Sequence, residues 1–309
     1  MRIAFFGTPE FAVPTLRALA ATDHTLAVFT QPDKPVGRKA ILTPPPVKAA
    51  ALELGLPVYQ FEKIRSREGC DTIRAFGPDL YAVVAFGQLF SEENLSIPPL
   101  GAINVHGSLL PLYRGASPMQ QSVIDGQAKV GVSTMKLVKR MDAGDVLMQA
   151  ETLLGENETY GELSVRLAEL GSKLFMETLG ALEGGMLTPK PQAEEKASYC
   201  RMLTRDSGRI DLTAPRKVIH NLIRGTNPWP GAYALVGAEK LKLWRTVLSE
   251  AEPPQGLPVG GLFGDQKHGL FLHCADGTLE IIELQAPGGK KLDGKSFLRG
   301  KNIAGSILS

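Results

Sequence analysis

Three residues of types that serve acyl transfer fall in two short clusters. Asn104 and His106 lie in the run Asn104-Val-His-Gly-Ser-Leu-Leu-Pro111, and Asp142 lies in Met141-Asp-Ala-Gly-Asp145. At the end of a strand, residues two apart project to one face, so Asn104 and His106 would offer an amide donor and an imidazole to the same carbonyl carbon. Asp142 would orient the imidazole or accept a proton. On spacing alone the trio reads equally well as a satisfied strand-end histidine beside a turn aspartate. No Ser-His-Asp chain order, no Gly-x-Ser-x-Gly elbow around Ser108 and no metal-ligand spacing accompany it, which leaves nucleophilic and zinc chemistry weakly supported.

The elements that must position these residues are legible as short apolar runs alternating with helical patterns. Ile3–Phe6, Thr25–Phe29, Leu80–Phe86, Ala102–Val105 and Gly131–Val138 are predicted strands; Pro9–Ala21, Val47–Leu54, Arg65–Phe76 and Met119–Asp125 are predicted helices. Nearly continuous apolar strands separated by helices predict an α/β, Rossmann-like domain with a mostly parallel sheet covered on both faces. Gly7 is expected to make the first strand-to-helix turn, with Thr8 as N-cap and Pro9 at the first helical position. That turn lacks Gly-x-Gly-x-x-Gly, and no P-loop motif occurs, so no tightly bound nucleotide or prosthetic group is expected. A helix from Tyr160 to Leu182, with Leu163, Leu167, Leu170, Leu174 and Phe175 as its buried stripe, closes this part and ends at Gly184-Gly185. The polar stretch Thr188–Ser198 shows neither period and reads as a linker. Beyond a helix at Ala214–Arg224, short alternating runs at Ala232–Val236, Leu241–Val247, Gly269–His273 and Thr278–Leu284 predict a small β-barrel. The expected organisation is a catalytic domain over 1–185, a linker over 186–203 and a second domain over 204–309.

Composition bounds the function. With 309 residues, 43% hydrophobic and 21% charged, the chain is long enough for two cores. No run of about 18 apolar residues suggests a membrane span. Cys70, Cys200 and Cys274 are far apart and without a Cys-x-x-Cys pair, which fits reduced core thiols in a cytoplasm. The net charge of +2 is unevenly spread: residues 204–309 hold 14 Lys and Arg against 10 Asp and Glu. That modest excess suits a polyanionic partner or an ordinary solvated surface.

The run Asn104–Pro111, with Tyr113-Arg-Gly-Ala116, Pro118, Gly131-Val132 and Asp142-Ala-Gly-Asp145, resembles the 10-formyltetrahydrofolate-dependent formyltransferases. Arg2-Ile-Ala-Phe-Phe-Gly-Thr-Pro-Glu-Phe-Ala-Val-Pro14, Gln31-Pro-Asp-Lys-Pro-Val-Gly-Arg38, Leu42-Thr-Pro-Pro-Pro-Val-Lys48 and Asn227-Pro-Trp-Pro-Gly231 carry the resemblance along nearly the whole chain. They are similar to the branch that formylates methionine on initiator methionyl-tRNA. The resemblance implies that 10-formyltetrahydrofolate is the cosubstrate and that Asn104, His106 and Asp142 are catalytic. It implies further that Ser108, Leu109, Leu110 and Pro111 hold the folate, with Phe86 and Gly87 beside it, and that the second domain is an OB-like barrel that meets tRNA. The loop at 31–48 holds five prolines with Lys34, Arg38 and Lys39, and the family uses it on tRNA, so Arg38 and Lys39 are the expected RNA contacts. No metal, membrane or obligate protein partner is expected.

Two stretches depart from that branch. Lys39-Ala40-Ile41 stands where further Gly and Lys are usual, and Lys139-Arg140 is similar to relatives that formylate a 4-amino sugar on a nucleotide. Sugar-nucleotide formylation therefore stays open as the alternative. A catalytically silent RNA-binding protein on the same scaffold is the reading from another class.

Overall fold

The computed structural model describes residues 1–37, 39–300 and 303–309. Its contacts divide the chain into two units: Met1–Pro118, Val130–Thr152 and Ser164–Cys200 form the first, and Met119–Lys129, Leu153–Leu163 and Arg201–Ser309 the second.

The first unit is built on a seven-stranded sheet. Its strands are β1 (Arg2–Gly7), β2 (Thr25–Thr30), β3 (Val58–Gln60), β4 (Leu80–Val84), β5 (Ala102–His106), β6 (Lys129–Lys136) and β7 (Val146–Leu153). Their spatial order is β7-β6-β5-β4-β1-β2-β3. The five strands from β3 to β5 run parallel, and β6 is antiparallel to β5. Central strands are buried along almost their whole length, which is why they read as uninterrupted Ile, Val, Ala and Phe. Helices α1 (Val13–Ala20), α2 (Pro46–Glu53), α3 (Arg67–Phe76) and, after α4 (Pro118–Ile124), the 24-residue α5 (Tyr160–Glu183) connect or follow the strands. In α5, Leu163, Leu167, Leu174 and Phe175 are buried as the stripe predicts, while Leu170 is half-buried.

The expected cap of the first helix is corrected. Pro9 itself occupies the extended N-cap position of a short 3-10 turn, Glu10–Ala12, that precedes α1, and no side chain caps it. The Thr8 hydroxyl instead donates to the Phe86 carbonyl at 2.9 Å, tying β1 to the turn after β4. The cap rule fails because the helical turn starts one residue later than expected, with Pro9 at the N-cap, which leaves Thr8 outside the position whose hydroxyl accepts from the first-turn amides.

The second unit wraps α6 (Arg216–Gly225) and a six-stranded antiparallel sheet around one apolar core that includes Ile219, Ile223, Leu243, Leu272 and Ile281. Five strands, β8 (Ala232–Val236), β9 (Glu239–Ser249), β10 (Leu262–Asp265), β11 (Gly269–Cys274) and β12 (Gly277–Gln285), lie in the order β8-β9-β12-β11-β10, and the sixth, β13 (Leu292–Asp293), pairs with β12 off that path. Residues 305–309 close this sheet: Leu308 bridges Val236 in β8, and Ile307 bridges Gly261 beside β10. Both edge strands are thereby paired, which removes the free edges an open sheet would present. The same unit takes in residues 119–129 and 153–163. Arg224 of α6 donates to the carbonyls of Gly155 and Glu158, at 3.0 and 3.2 Å.

Candidate active site

Asn104 and His106 end β5, a strand paired on both sides. Asn104 stands opposite Val83 in β4 and Met135 in β6, and His106 opposite Ser133. Val105 between them faces α5, where the absence of a side chain at Gly171 admits it. By alternation, Asn104 and His106 share the other face, and both are buried, at 9% and 6% exposure. The Asn104 amide hydrogen-bonds to no other group among the described residues, whereas the typical buried amide is satisfied within the protein.

His106 is held by one nitrogen only. Its Nε2 lies 2.9 Å from the Tyr113 carbonyl. A carbonyl accepts and never donates, so Nε2 carries the hydrogen. Nδ1 faces the Asp142 carboxylate with Oδ2 at 3.8 Å, inside ion-pair range and beyond hydrogen-bond range. The imidazole is therefore oriented by Tyr113's backbone, and the carboxylate stands off beside it.

Asp142 owes its own position to three backbone features. It adopts φ 49°, a left-handed conformation that Asp tolerates better than bulkier residues. Its Oδ2 accepts from the Gly115 amide at 2.8 Å. Two residues on, a Cβ at Gly144 would collide with the Lys136 carbonyl, so only glycine lets the turn lie against β6. The strand pair beneath, Arg114–Gly115 with Tyr199–Cys200, requires glycine for the same reason: Gly115 has φ 121° and abuts the Cys200 carbonyl.

Arg114 is the largest fully buried side chain of the molecule. Its Nε and Nη2 donate to Gln192 Oε1 at 3.0 and 2.9 Å, and its Nη1 and Nη2 donate to the two oxygens of Glu194 at 3.1 and 2.9 Å. The Arg114 hydrogen bond holds the Glu194 carboxyl below its usual range. Residues 190–200 are thus stitched into the first unit, with Lys190 bridged to Val146 as well. In the sequence Arg114 stands only within the resemblance, and nothing there marks Gln192 or Glu194. The available signal was one Arg between Tyr113 and Gly115; nothing local announces partners about eighty residues away.

The expected folate segment is a rigid loop. The Ser108 hydroxyl donates to the Leu112 carbonyl at 2.6 Å, and the Ser133 hydroxyl donates to the Ser108 carbonyl at 2.6 Å. Gln149 donates to the Leu110 carbonyl at 2.9 Å, and the Leu110–Pro111 bond is cis. Leu110 is buried with Met135 and Val146, so among the two leucines only Leu109, half-buried over Gly131, retains surface. Phe86 differs from its expected role: its ring is buried in a cluster with Phe6 and Phe90, at centroid distances of 5.3 and 5.6 Å. The Phe86 carbonyl accepts from Thr8 and Gln31, and the next residue, Gly87, is exposed in a turn with φ 77°. The loop expected to meet RNA contains a small antiparallel hairpin, Lys34–Val36 with Ile41–Thr43, and Lys39 is exposed in its turn. Arg38 lies outside the described residues. Lys139 and Arg140 pair with Glu92 and Glu194, each at 2.7 Å, so both are engaged in intramolecular ion pairs.

Asn104 and His106 thus share one face at the end of β5 and are met there by the turn residue Asp142. Residues 1–179 match the family described as formyl transferase, and residues 202–302 match its C-terminal domain. The chain belongs to the formyl transferase family.

Within it, the resemblance is to one kind of member. The methionyl-tRNA formyltransferase of Trichlorobacter lovleyi is 43% identical over 309 residues, covering 99% of this chain and 96% of that protein. That of Listeria monocytogenes is 42% identical, covering 100% of this chain and 97% of its own length. Among solved structures, the sugar 3N-formyl transferase WlaRD, crystallised with dTDP and 5-N-formyl-THF, superposes with a TM-score of 0.68 at 16% identity, covering 94% of this chain and 98% of that one. HypX from Aquifex aeolicus in complex with tetrahydrofolic acid gives 0.67 at 16%, covering 96% of this chain and 47% of that one. These two likenesses are of fold. No described helix is long and apolar enough to cross a membrane.

Proposed function

We propose that this chain transfers the formyl group of 10-formyltetrahydrofolate to the α-amino group of methionyl-tRNA. The observation that carries the reading is near-complete, two-domain similarity to proteins named for that reaction, at 42 to 43% identity. The sugar-nucleotide alternative loses its motivation, since Lys139 and Arg140 are already paired within the protein.

The chemistry asks for three things. The amine must attack the formyl carbon, the oxyanion of the tetrahedral adduct must be stabilised, and a proton must pass from the amine toward N10 as the C–N10 bond breaks. An α-amino group titrates near about 8, so much of it is unprotonated at neutral pH and no activated protein nucleophile is required. In our reading the unpartnered Asn104 amide donates to the formyl oxygen and His106 supplies the second stabilising group. Asp142, fixed by Gly115 beside the imidazole, takes the proton released by the amine. The loop 108–111 and the turn at Phe86 and Gly87 hold the folate, largely through backbone groups.

The RNA would be met by Arg38 and Lys39 and by the second domain, residues 204–309. In support, Lys242 and Lys291 lie over the Trp244 ring at 4.9 and 4.0 Å, and Lys240 over Tyr233 at 4.2 Å, so two buried rings hold up a cluster of lysines suited to a phosphate backbone. Such a substrate places the enzyme in the cytoplasm, where charged tRNA resides.

The test is transfer of labelled formyl from 10-formyltetrahydrofolate with charged initiator tRNA and a 4-amino sugar nucleotide offered in parallel. Label on methionyl-tRNA is expected; label on the sugar alone, or on neither, overturns the assignment.

A further inference from the structure

The carboxylate of Asp142 is fixed from one side by Gly115, and its backbone is fixed from the other by a side chain that no motif marks. Gln192 Nε2 donates to the Asp142 carbonyl at 2.9 Å and to the Gly144 carbonyl at 2.7 Å. Its Oε1 accepts twice from Arg114. All the hydrogen-bonding capacity that these four contacts use is complementary: an NH2 offers two donors to two carbonyls, and a carbonyl oxygen offers two lone pairs to two guanidinium N–H groups. No other uncharged side chain of this length has both ends.

We propose that Gln192 is a positioning residue for formyl transfer, acting through Asp142. The geometry supports this in two steps. First, the Asp142 turn is strained: φ is 49° at a residue with a side chain, and such a conformation persists where surrounding contacts over-determine it. The two Gln192 donor bonds, to residues 142 and 144, span that turn and supply the constraint. Second, the anchor behind Gln192 is itself rigid. Arg114 is fully buried, Glu194 grips it through both carboxylate oxygens, and the next residue, Gly115, is the one whose amide holds the Asp142 carboxylate. One guanidinium thus braces Asp142 by two routes, through Gln192 to its backbone and through Gly115 to its side chain. With His106 Nδ1 only 3.8 Å from Asp142 Oδ2, a shift of about 1 Å in the turn changes whether the carboxylate reaches the imidazole or the amine, which is the displacement to which catalysis is most sensitive.

The inference rests on the catalytic reading of Asp142, and a double-mutant cycle separates the two. Formyl transfer to methionyl-tRNA is measured at saturating substrates, with KM for each, in wild type, Gln192→Ala, Gln192→Glu, Asp142→Ala and the Gln192→Ala/Asp142→Ala pair. Gln192→Glu keeps an acceptor for Arg114, so the buried guanidinium stays paired, and it removes both donors to the turn. Both Gln192 variants are expected to lose roughly 10- to 100-fold in kcat with KM for both substrates within about twofold. In the Asp142→Ala background, Gln192→Ala is expected to cost less than about threefold, because what it positions is gone. An equal loss in both backgrounds, or full activity in Gln192→Glu, overturns the proposal. Full activity in Asp142→Ala would instead remove the catalytic reading on which it stands.

Discussion

Two buried histidines divide the labour of this molecule. His106 ends a strand of the first unit and His220 sits in α6 of the second, at 6% and 1% exposure. Each gives its Nε2 hydrogen to a carbonyl, Tyr113 at 2.9 Å and Glu156 at 3.1 Å. They part at the other nitrogen. His220 Nδ1 accepts from the Thr246 hydroxyl at 3.0 Å and is complete; His106 Nδ1 has only a carboxylate at 3.8 Å. Burial and polarity do not separate the histidine proposed to act in transfer from the one that holds the fold. The nitrogen without a hydrogen-bond partner does, together with the Asn104 amide on the same face, which has no partner among the described residues.

The sharpest break of that comparison is in rate against stability. His106→Ala should lower kcat by about 10²- to 10³-fold, roughly 3 to 4 kcal/mol of barrier, measured at a temperature where the variant is folded, since the Tyr113 carbonyl also loses its donor. Asn104→Ala should cost about 10²-fold by loss of one oxyanion donor. A rate within threefold of wild type for either variant would place it outside the chemistry.

His220→Ala should do the reverse, lowering stability by about 2 kcal/mol as a large buried side chain is removed and the buried Thr246 hydroxyl loses its partner, with kcat kept within a few-fold at a temperature where the chain is folded. Denaturant unfolding followed in parallel with activity checks this. Burial also keeps the His220 imidazole below its ordinary range, so it is held neutral. Since the unfolded chain takes up a proton that the folded one resists, this contribution is whole above about pH 6.5 and shrinks as pH falls below it. Melting curves between pH 7.5 and 5.5 should therefore fall more steeply in wild type than in His220→Ala. Equal slopes would show that His220 titrates normally.

The smallest effect lies in the same unit with a different pH window. Glu162 is held at about 2, chiefly by Arg245 and then by the Thr159 backbone at the start of α5. A depressed carboxyl contributes stability above its ordinary value near 4.5 and loses it as pH falls toward 2. Both partners are more than 40% exposed, so screening limits the pair to about 0.5 kcal/mol. The stability difference between wild type and Glu162→Gln should be whole at pH 6 and shrink steadily as pH falls below about 4.5 toward 2, as read by urea unfolding.

What was legible in the sequence follows physical range. The buried parallel strands announced themselves as continuous apolar runs, and α5 by its leucine stripe. Strand β3 is only three residues long, Leu262–Asp265 contains a glycine, and the edge strand β7 mixes Gln, Glu and Thr among its apolar residues, so none carried a readable period. Asn104 and His106 were found because a strand fixes the facing of residues two apart. Arg114 and Gln192 were assigned no task because their meeting depends on a contact 78 residues apart in the chain, between a short strand and a stretch that reads as linker. The Thr8 hydroxyl is not the expected cap because the helical turn starts one residue later, at a position set by Pro9.

The central claim is that Asn104, His106 and Asp142 together move a formyl group onto methionyl-tRNA. Single-turnover transfer by His106→Ala, with folate and methionyl-tRNA affinities measured on the same protein, tests it most directly. The account predicts both affinities within about threefold of wild type and a transfer step slower by at least roughly 10². Transfer at the wild-type rate would contradict it.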